Sequence, residues 1–324
     1  MPTDTLHSIR LRPFRDADDY AVMASLISTA NLADGIDDIP TAASLRADYE
    51  ARSELDPARD VVFAEVGDRV VGFGEAYRQV RDGVAIYWTF GAVLPAYRGR
   101  GIGRAILAAN ERRGREIAAE HDDPGGRVFA SWVSEREGGA DGLLRRAGYA
   151  PARYGFAMVR SSLDGLAEAA LPAGLEIRPV ETAHARAIFA ADNEAFRDHW
   201  GHREATEDDF AATYASPDLD TSLWRIAWDG DEVAGGVLTW IYASENEAFG
   251  VRRGWLEHIF VRRPWRKRGL ATALIASALA GLRERGMTEA MLGVDADNLT
   301  GALRLYERLG FTVKDRATHY RKPF

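Results

Sequence analysis

The sequence contains no cysteine among its 324 residues. Disulfide bonds, thiolate metal sites and cysteine nucleophiles are therefore excluded. It also contains no apolar run that approaches the ~20 residues needed to cross a bilayer, and its first residues lack the apolar centre of a signal peptide. We expect a cytoplasmic protein that does not bind membranes.

A basic surface is absent as well, since the formal net charge is −8. Proteins that bind nucleic acid in general need a positive surface, so this class is disfavoured. An acidic protein suits a small cationic substrate such as an amine. Positive charge that serves a function must therefore be local.

The chain contains one unusual stretch twice. YRGRGIGRAIL at residues 97–107 recurs as WRKRGLATALI at residues 265–275, an offset of 168 positions. The segment RRAGY that ends at Tyr149 recurs as ERLGF that ends at Phe311, an offset of 162 positions. Landmarks that keep their order and nearly constant spacing indicate a duplication.

The duplication predicts two domains. We expect an N-terminal domain over residues 1–160, a linker over 161–173 and a C-terminal domain over 174–324. The linker is rich in small residues and contains Pro172. Each half is long enough to form its own core.

Both copies show the same order of strand, helical stretch, hairpin, longer strand, basic turn and helix. An Asp-Gly pair between strand-like runs favours a hairpin turn, and glycine after an apolar helical pattern indicates a helix end. In the second copy these signals predict a hairpin turn at Asp229-Gly230, a strand over 254–261, a helix over 270–285, a strand over 289–296 and a helix over 299–309. Alternating strands and helices with an internal hairpin predict an α/β fold, a mixed (α+β) sheet flanked by helices.

The basic turn is typical of a phosphate site. Arg266 and Arg268 precede Gly269 where a helix is expected to start, and the first copy repeats this layout around Gly101. The first N–H groups of a helix are unpaired and bind phosphate well, glycine allows close approach to the main chain, and arginine adds charge-assisted hydrogen bonds. Neither turn matches the Rossmann or Walker pattern. The alternative is a plain strand-to-helix turn that happens to carry arginines.

Both turns resemble the R/Q-x-x-G-x-G/A motif of the GCN5-related N-acetyltransferases (GNAT family). The resemblance implies two tandem GNAT domains, acetyl-CoA as the cofactor and transfer of acetyl to a primary amine. In that family the loop holds the coenzyme A pyrophosphate and follows a bulged strand, here LEHIFV at residues 256–261, beside which the pantetheine arm lies like an added strand.

The cofactor-binding residues implied by this resemblance lie in both copies. In the second copy they are Ile259, Phe260, Val261, Arg266, Lys267, Arg268, Gly269, Leu270, Ala271, Thr272 and Asn298. In the first copy they are Val93, Arg98, Gly99, Arg100, Gly101, Ile102, Gly103 and Arg104.

Acetyl transfer from a thioester to an amine requires a base, an oxyanion donor and an acid. The resemblance makes Tyr306 the general acid and Glu257 the general base, directly or through a water, with a main-chain N–H near Val261 as the oxyanion donor. Tyr306 is alternatively a core residue, because it shares a helix face with neighbouring apolar residues. Glu257 is alternatively a surface carboxylate paired with an arginine.

The first copy departs from this pattern. Counting back from its glycines places Leu144 where Tyr306 stands, Arg136 where Asn298 stands and Thr89 where Glu257 stands. We therefore expect the first copy to be catalytically silent, although its turn remains suited to acetyl-CoA.

An idle first copy and an active second copy resemble the mycothiol synthase family of tandem acetyltransferases. The segments NEAF at 193–196 and VDADN at 294–298 add to the resemblance, whereas that family's glutamate falls at the position of Trp255. The acceptor is expected to contact residues before and within the second hairpin: Glu194, Asp198, Trp200 and Trp240.

Two other interpretations remain open. The cluster Asp198, His199 and His202 has the residue types of a metal site but lacks a clear third ligand at metal spacing, so we expect no metal. A non-catalytic acyl-CoA sensor would use both turns and neither set of proton-handling residues. The sequence does not distinguish a monomer from a homodimer.

Overall fold

A computed structural model describes residues 9–166, 169–199, 202–296 and 301–324. The first half of the chain forms β1 (Ile9–Pro13), α1 (Asp18–Asp34), α2 (Ala42–Glu50), α3 (Pro57–Asp60), β2 (Val61–Val66), β3 (Arg69–Arg81), β4 (Val84–Val93), α4 (Ile102–Ala119), β5 (Arg127–Ser134), α5 (Gly138–Arg146) and β6 (Ala150–Arg160). The second half forms β7 (Glu176–Arg178), α6 (Ala185–Phe196), α7 (Glu207–Ala215), β8 (Arg225–Asp229), β9 (Glu232–Trp240), α8 (Ala243–Phe249), β10 (Arg253–Val261), α9 (Leu270–Glu284), β11 (Glu289–Asp295), α10 (Ala302–Arg308) and β12 (Thr312–Pro323). Within the described residues, no helix combines the length and apolar character that a membrane crossing requires.

The first compact unit extends to Arg153 and also takes in Ala317–Phe324. Its sheet has the order β1-β2-β3-β4-β5-β12, and its neighbouring strands are antiparallel except for β4 and β5, which are parallel. Apolar residues of α1 and α2 pack on one face of this sheet, and those of α4 and α5 pack on the other.

The second compact unit, Tyr154–Arg316, has the same plan. Its sheet has the order β7-β8-β9-β10-β11-β6, with β10 and β11 as the parallel pair. Helix α6 packs on one face, and α9 and α10 pack on the other. The predicted mixed sheet flanked by helices is therefore confirmed.

The two repeats exchange their last strands. Residues 317–323 of β12 pair with β5 of the first unit, and residues 155–160 of β6 pair with β11 of the second unit. The sequence assigned each strand to its own copy, so the unit boundaries differ from the expected 160 and 174. Side chains explain the exchange: Tyr320 is 1% exposed in the core of the first unit, and Lys322 forms an ion pair with Glu111 at 2.7 Å.

The segment 161–173, expected to be a linker, contributes to packing. Leu163 is buried in the core of the second unit, where Leu171 also packs. The N–H of Leu163 donates to the carbonyl of Thr288 at 3.0 Å. Residues 167–168 lie outside the described part of the chain. Described residues of this segment therefore belong to the second unit.

Strand β10 contains the bulge that the resemblance implies. Leu256 pairs with Thr239 and His258 pairs with Leu238, so Glu257 is the extra residue of a β-bulge. The corresponding strand of the first unit, β4, pairs with β3 without interruption from Val84 to Val93.

The connection before the bulged strand also differs between the units. In the first unit, Asp82 and Gly83 join β3 to β4 in a tight turn, with φ angles of 50° and 75°. In the second unit, residues 241–252 replace this turn and include α8. The longer connection places new side chains beside β10.

The strand exchange makes a mutation near the C-terminus act on the first unit. Tyr320→Ala should cost about 3–5 kcal/mol of unfolding free energy, because it removes a buried aromatic ring. Hydrogen–deuterium exchange should rise first in β5. Val313→Ala, on the same strand but at a side chain that is 49% exposed, is the control. Exchange that rises first in β11 would contradict the assignment.

Candidate active site

The open edge of β10 is the centre of the candidate site. Strand β11 pairs with β10 only over Arg253–Trp255, so the rest of that edge is not covered by β11. The N–H of Arg262 donates to Ala234 on β9 at 3.0 Å. Because N–H groups alternate in direction along a strand, the N–H of Val261 points away from β9 toward the open edge. The prediction of an oxyanion donor near Val261 requires an N–H with this direction.

The two basic turns have the same backbone. Lys267 and Gly269 have φ angles of 60° and 86°, and their counterparts Gly99 and Gly101 have 75° and 88°. Both helices lack a side-chain cap at the N-terminus. Among the described residues, the N–H groups of residues 267–272 have no hydrogen-bond acceptor. The turn is thus a cradle of N–H groups that fits a phosphate.

Arg266 and Arg98 stabilise these turns from within. The Nε of Arg266 donates to the carbonyl of Val261 at 2.9 Å, and the Nε of Arg98 donates to that of Val93 at 3.1 Å. Their guanidinium groups also pair with Asp198 at 2.6 Å and with Asp34 at 2.6 Å. Both arginines, predicted to bind phosphate, are therefore engaged by protein groups.

Other predicted cofactor residues differ in what they offer a ligand. Lys267 and Arg268 are exposed, as is Arg100 in the first unit. The side chains of Leu270 and Ile102 are 1% exposed and that of Phe260 is 3% exposed, so these residues have only main-chain atoms to offer.

Four of the remaining predicted residues lie in the first turns of the two helices: Ala271 and Thr272 in α9, and Gly103 and Arg104 in α4. Ile259 and Val93 lie on the strands that precede the basic turns, β10 and β4. Asn298 lies outside the described residues.

Tyr306 is buried on α10, next to β11 and α9. Its side chain is 7% exposed, and its ring lies 6.2 Å from that of Phe311 between centroids. Burial raises the pKa of Tyr306 to about 12. The phenol is therefore protonated at neutral pH, as a proton donor must be. Leu303 and Leu309 share its apolar face, as expected from the sequence.

Glu257 is exposed at the bulge and accepts a hydrogen bond from the hydroxyl of Tyr242 at 2.9 Å. Burial and the nearby carboxylate raise the pKa of Tyr242, so this tyrosine remains a donor. In a regular strand, alternation would place Glu257 on the same face as Ile259 and Val261, but this does not hold in β10. The bulge shifts the phase: Ile259 and Val261 pack toward α9, whereas Glu257 contacts Tyr242.

The predicted acceptor residues are mostly engaged within the protein. Asp198 pairs with Arg263 and Arg266, which holds the pKa of its carboxyl well below the ordinary value. Glu194 pairs with Arg262 at 2.8 Å. Trp240 is 7% exposed in the core that faces α6. Trp200 lies outside the described residues.

The first unit has other chemistry at the corresponding positions. Thr89 is 2% exposed and donates from Oγ1 to the carbonyl of Ala130 at 3.3 Å. Leu144 is 4% exposed in the core. Arg136 stands where the second copy has Asn298. The first two positions provide neither a carboxylate nor a phenol.

Sequence reasoning missed two polar contacts at this site. Tyr242 reaches Glu257 from the connection that precedes α8, and Asp192 of α6 contacts His258. The signal in the sequence was weak: Phe90 replaces His258 in the first copy, which marks the histidine as specific to the second.

Comparison with known proteins shows the family. The profile of the acetyltransferase (GNAT) family matches residues 29–148 and 185–311. A mycothiol acetyltransferase of Thermobispora bispora is 31% identical over 296 residues, which is 91% of this chain and 92% of the relative. One of Geodermatophilus obscurus is 28% identical, with 90% of each chain covered.

Solved structures with the same fold cover nearly the whole chain. A GCN5-related N-acetyltransferase of Sphaerobacter thermophilus has a TM-score of 0.72 and 27% identity, with 97% of this chain and 95% of that chain covered. A tandem GNAT protein from the clavulanic acid biosynthesis pathway has a TM-score of 0.69 at 19% identity, with 97% and 98% covered. The second likeness concerns the fold alone.

Substitutions at Gly269 should separate the effect of charge on coenzyme A binding from the effect of backbone strain. A Cβ at Gly269 would meet no other atom within 4 Å, and both Asn and Asp tolerate its positive φ better than other residues. Gly269→Asp should therefore weaken coenzyme A binding by about 10- to 100-fold relative to Gly269→Asn, because only the aspartate repels the pyrophosphate. Isothermal calorimetry measures both, and equal affinities would refute a phosphate site here.

Proposed function

Since this chain belongs to the acetyltransferase (GNAT) family, it is an N-acetyltransferase that uses acetyl-CoA, and we propose that its second unit transfers acetyl to the primary amine of a small molecule. The observation that carries this proposal is the asymmetry of the two units. The second unit has Glu257 at the bulge of β10 and Tyr306 on α10, whereas the first unit has Thr89 and Leu144 at the corresponding positions. We propose that the first unit is not catalytic.

The turn before α9 holds the pyrophosphate of the coenzyme in this proposal. The N–H groups of residues 267–272 are available as donors, and the exposed side chains of Lys267 and Arg268 add positive charge. Acetyl-CoA supplies the acetyl thioester. The main-chain N–H of Val261, directed to the open edge, stabilises negative charge on the thioester oxygen.

Glu257 removes a proton from the acceptor amine, directly or through a water. Free alkylamines have pKa values near ~10, so an acceptor arrives as an ammonium ion at neutral pH. The Glu257 carboxylate attracts this ion and accepts its proton, while the hydroxyl of Tyr242 fixes the carboxylate by a hydrogen bond of 2.9 Å. The net charge of −8 favours the approach of a cationic acceptor.

Tyr306 donates a proton to the departing sulfur. Its pKa of about 12 lies above that of a thiol, near ~8.5, so the phenol gives up its proton only as charge develops on the sulfur. Burial beside Phe311 excludes bulk water from this donor.

The acceptor is proposed by class only. The relatives named mycothiol acetyltransferases indicate a small molecule, yet Trp255 stands where that resemblance places a glutamate. The indole of Trp255 donates to Glu245 at 2.8 Å, and Glu245 is buried in α8. This part of the second unit therefore differs from the pattern of those relatives. For this reason the acceptor is to be identified by a screen of diverse amines.

The test is release of coenzyme A from acetyl-CoA across a panel of amino sugars, amino acids, polyamines and arylalkylamines, with mass detection of the acetylated product. We expect at least one primary amine to be acetylated. Parallel assays of Gly101→Asp and Gly269→Asp assign the active unit, because only the second change should abolish transfer. The reverse result in folded proteins would move the active site to the first unit.

Replacing the phenol of Tyr306 tests the acid. Tyr306→Phe should lower kcat by about 10- to 1000-fold with little change in acetyl-CoA affinity, because the ring is kept and only the proton donor is lost. Tyr149→Phe is a matched control, since Tyr149 is also a buried tyrosine and the second unit has Phe311 at that position. Unchanged turnover in Tyr306→Phe would make Tyr306 a core residue.

A further inference from the structure

His258 follows Glu257 on β10 and belongs to a dyad with Asp192 of α6. Its Nδ1 lies at hydrogen-bond distance, 2.8 Å, from Oδ2 of Asp192. Asp192 is 9% exposed, and its Oδ1 is buried without a hydrogen-bond partner among the described residues. An ionised carboxylate only accepts hydrogen bonds, so the proton is held on Nδ1 and Nε2 is the nitrogen that takes up a second proton.

The ring of His258 is fixed on its sides and open to solvent. Its centroid lies 5.5 Å from that of Phe196 and 6.5 Å from that of Trp240. The side chain nevertheless remains 47% exposed. An imidazole with a fixed orientation and an accessible edge is suited to proton transfer.

The charged groups that face the ring come from two elements. Asp192 approaches from α6 and Glu257 precedes it on β10, while β9 contributes the uncharged Trp240. His199 lies on Phe196, with ring centroids 4.4 Å apart. Partial desolvation by the neighbouring rings lowers the pKa of His258, but the two carboxylates outweigh this effect and raise it above the ordinary value. The imidazole is therefore a stronger base than an isolated histidine.

The dyad is found in the same unit as the proposed base, Glu257. At the position of His258 the first unit has Phe90, which packs among the rings of Tyr77, Trp88 and Trp132. The unit that lacks Glu257 thus also lacks the imidazole beside it. A histidine needed only to pack against α6 would not require a buried carboxylate partner.

The proton balance of acetyl transfer shows that the site must also deliver a proton to solvent. As the nitrogen–carbon bond forms and the carbon–sulfur bond breaks, the ammonium nitrogen loses two protons. One makes up for the proton that Tyr306 gives to sulfur, and the other must reach solvent. Glu257 has to pass on the proton that it receives before the next turnover.

We propose that His258, oriented by Asp192, is the proton relay of the second unit: its Nε2 takes the proton from Glu257 through a water and releases it to solvent. This inference rests on the proposed function, because it assigns Glu257 as the base. It makes His258 and Asp192 positioning and relay residues, distinct from the groups that touch the acetyl donor.

The first test needs no acceptor. Long-range ¹H–¹⁵N NMR of the imidazoles in the full-length protein should show His258 with its proton on Nδ1 and a pKa above that of an ordinary histidine. Asp192→Asn should lower this pKa by about one unit or more, because the carboxylate is removed. A proton on Nε2, or a pKa that Asp192→Asn leaves unchanged, would overturn the proposal.

The second test uses the amine that is turned over fastest in the panel. The relay requires a neutral imidazole, so kcat/KM should fall as the pH drops through the pKa of His258, and Asp192→Asn should move this limb to lower pH. His258→Gln should lower kcat by about 10- to 100-fold, lose the limb and recover part of its rate when imidazole is added. His121→Gln, in the first unit, is the control.

The outcomes separate this inference from the proposed function. If the wild-type protein acetylates no amine, the proposed function fails and the relay fails with it. If the wild type is active and Glu257→Gln lowers the rate, while His258→Gln keeps the wild-type pH profile or gains nothing from imidazole, only the relay is refuted.

Discussion

One guanidinium group joins the parts of the second unit that must act together. Arg266 donates to the carbonyl of Val261 at the end of β10, to the carboxylate of Asp198 and to the carbonyl of Ala195 at the end of α6. The strand that carries the proposed base, the phosphate cradle and the helix that bears Asp192 are thereby linked. Arg98 makes two of these contacts in the first unit, to the carbonyl of Val93 and to the carboxylate of Asp34, so this part of the clamp belongs to the shared scaffold.

On this scaffold the two units diverge at β10 and its surroundings. The bulge at Glu257 removes one residue from the ladder, and the connection with α8 brings Tyr242 to that residue. The first unit keeps a tight turn and a regular strand instead. A local change of one residue in register, combined with a longer loop, is sufficient to turn a copy of the same fold into a different chemical environment.

The sequence predicted the fold class, the duplication and most element types, because glycine positions and apolar periodicity report local structure. It did not predict that the two units exchange β6 and β12, since the residue pattern of a strand does not specify the strand with which it pairs. The contacts that Arg98 and Arg266 make within the protein were not predicted, for a similar reason. A motif shows which charges are near a helix terminus, but only the fold shows that carboxylates such as Asp34 and Asp198 reach them. The dyad of Asp192 and His258 was missed because its members are 66 residues apart.

The exchange of last strands has a consequence for synthesis on the ribosome. Residues 317–323, which complete the sheet of the first unit, are made after the strands of the second unit. A nascent chain therefore displays the edge of β5 without β12 until these residues have been made, whereas the second unit already has β6 available from the earlier half. The half that is synthesised first is thus the half whose sheet is completed last. A fragment cut at the sequence repeat would carry this exposed edge permanently.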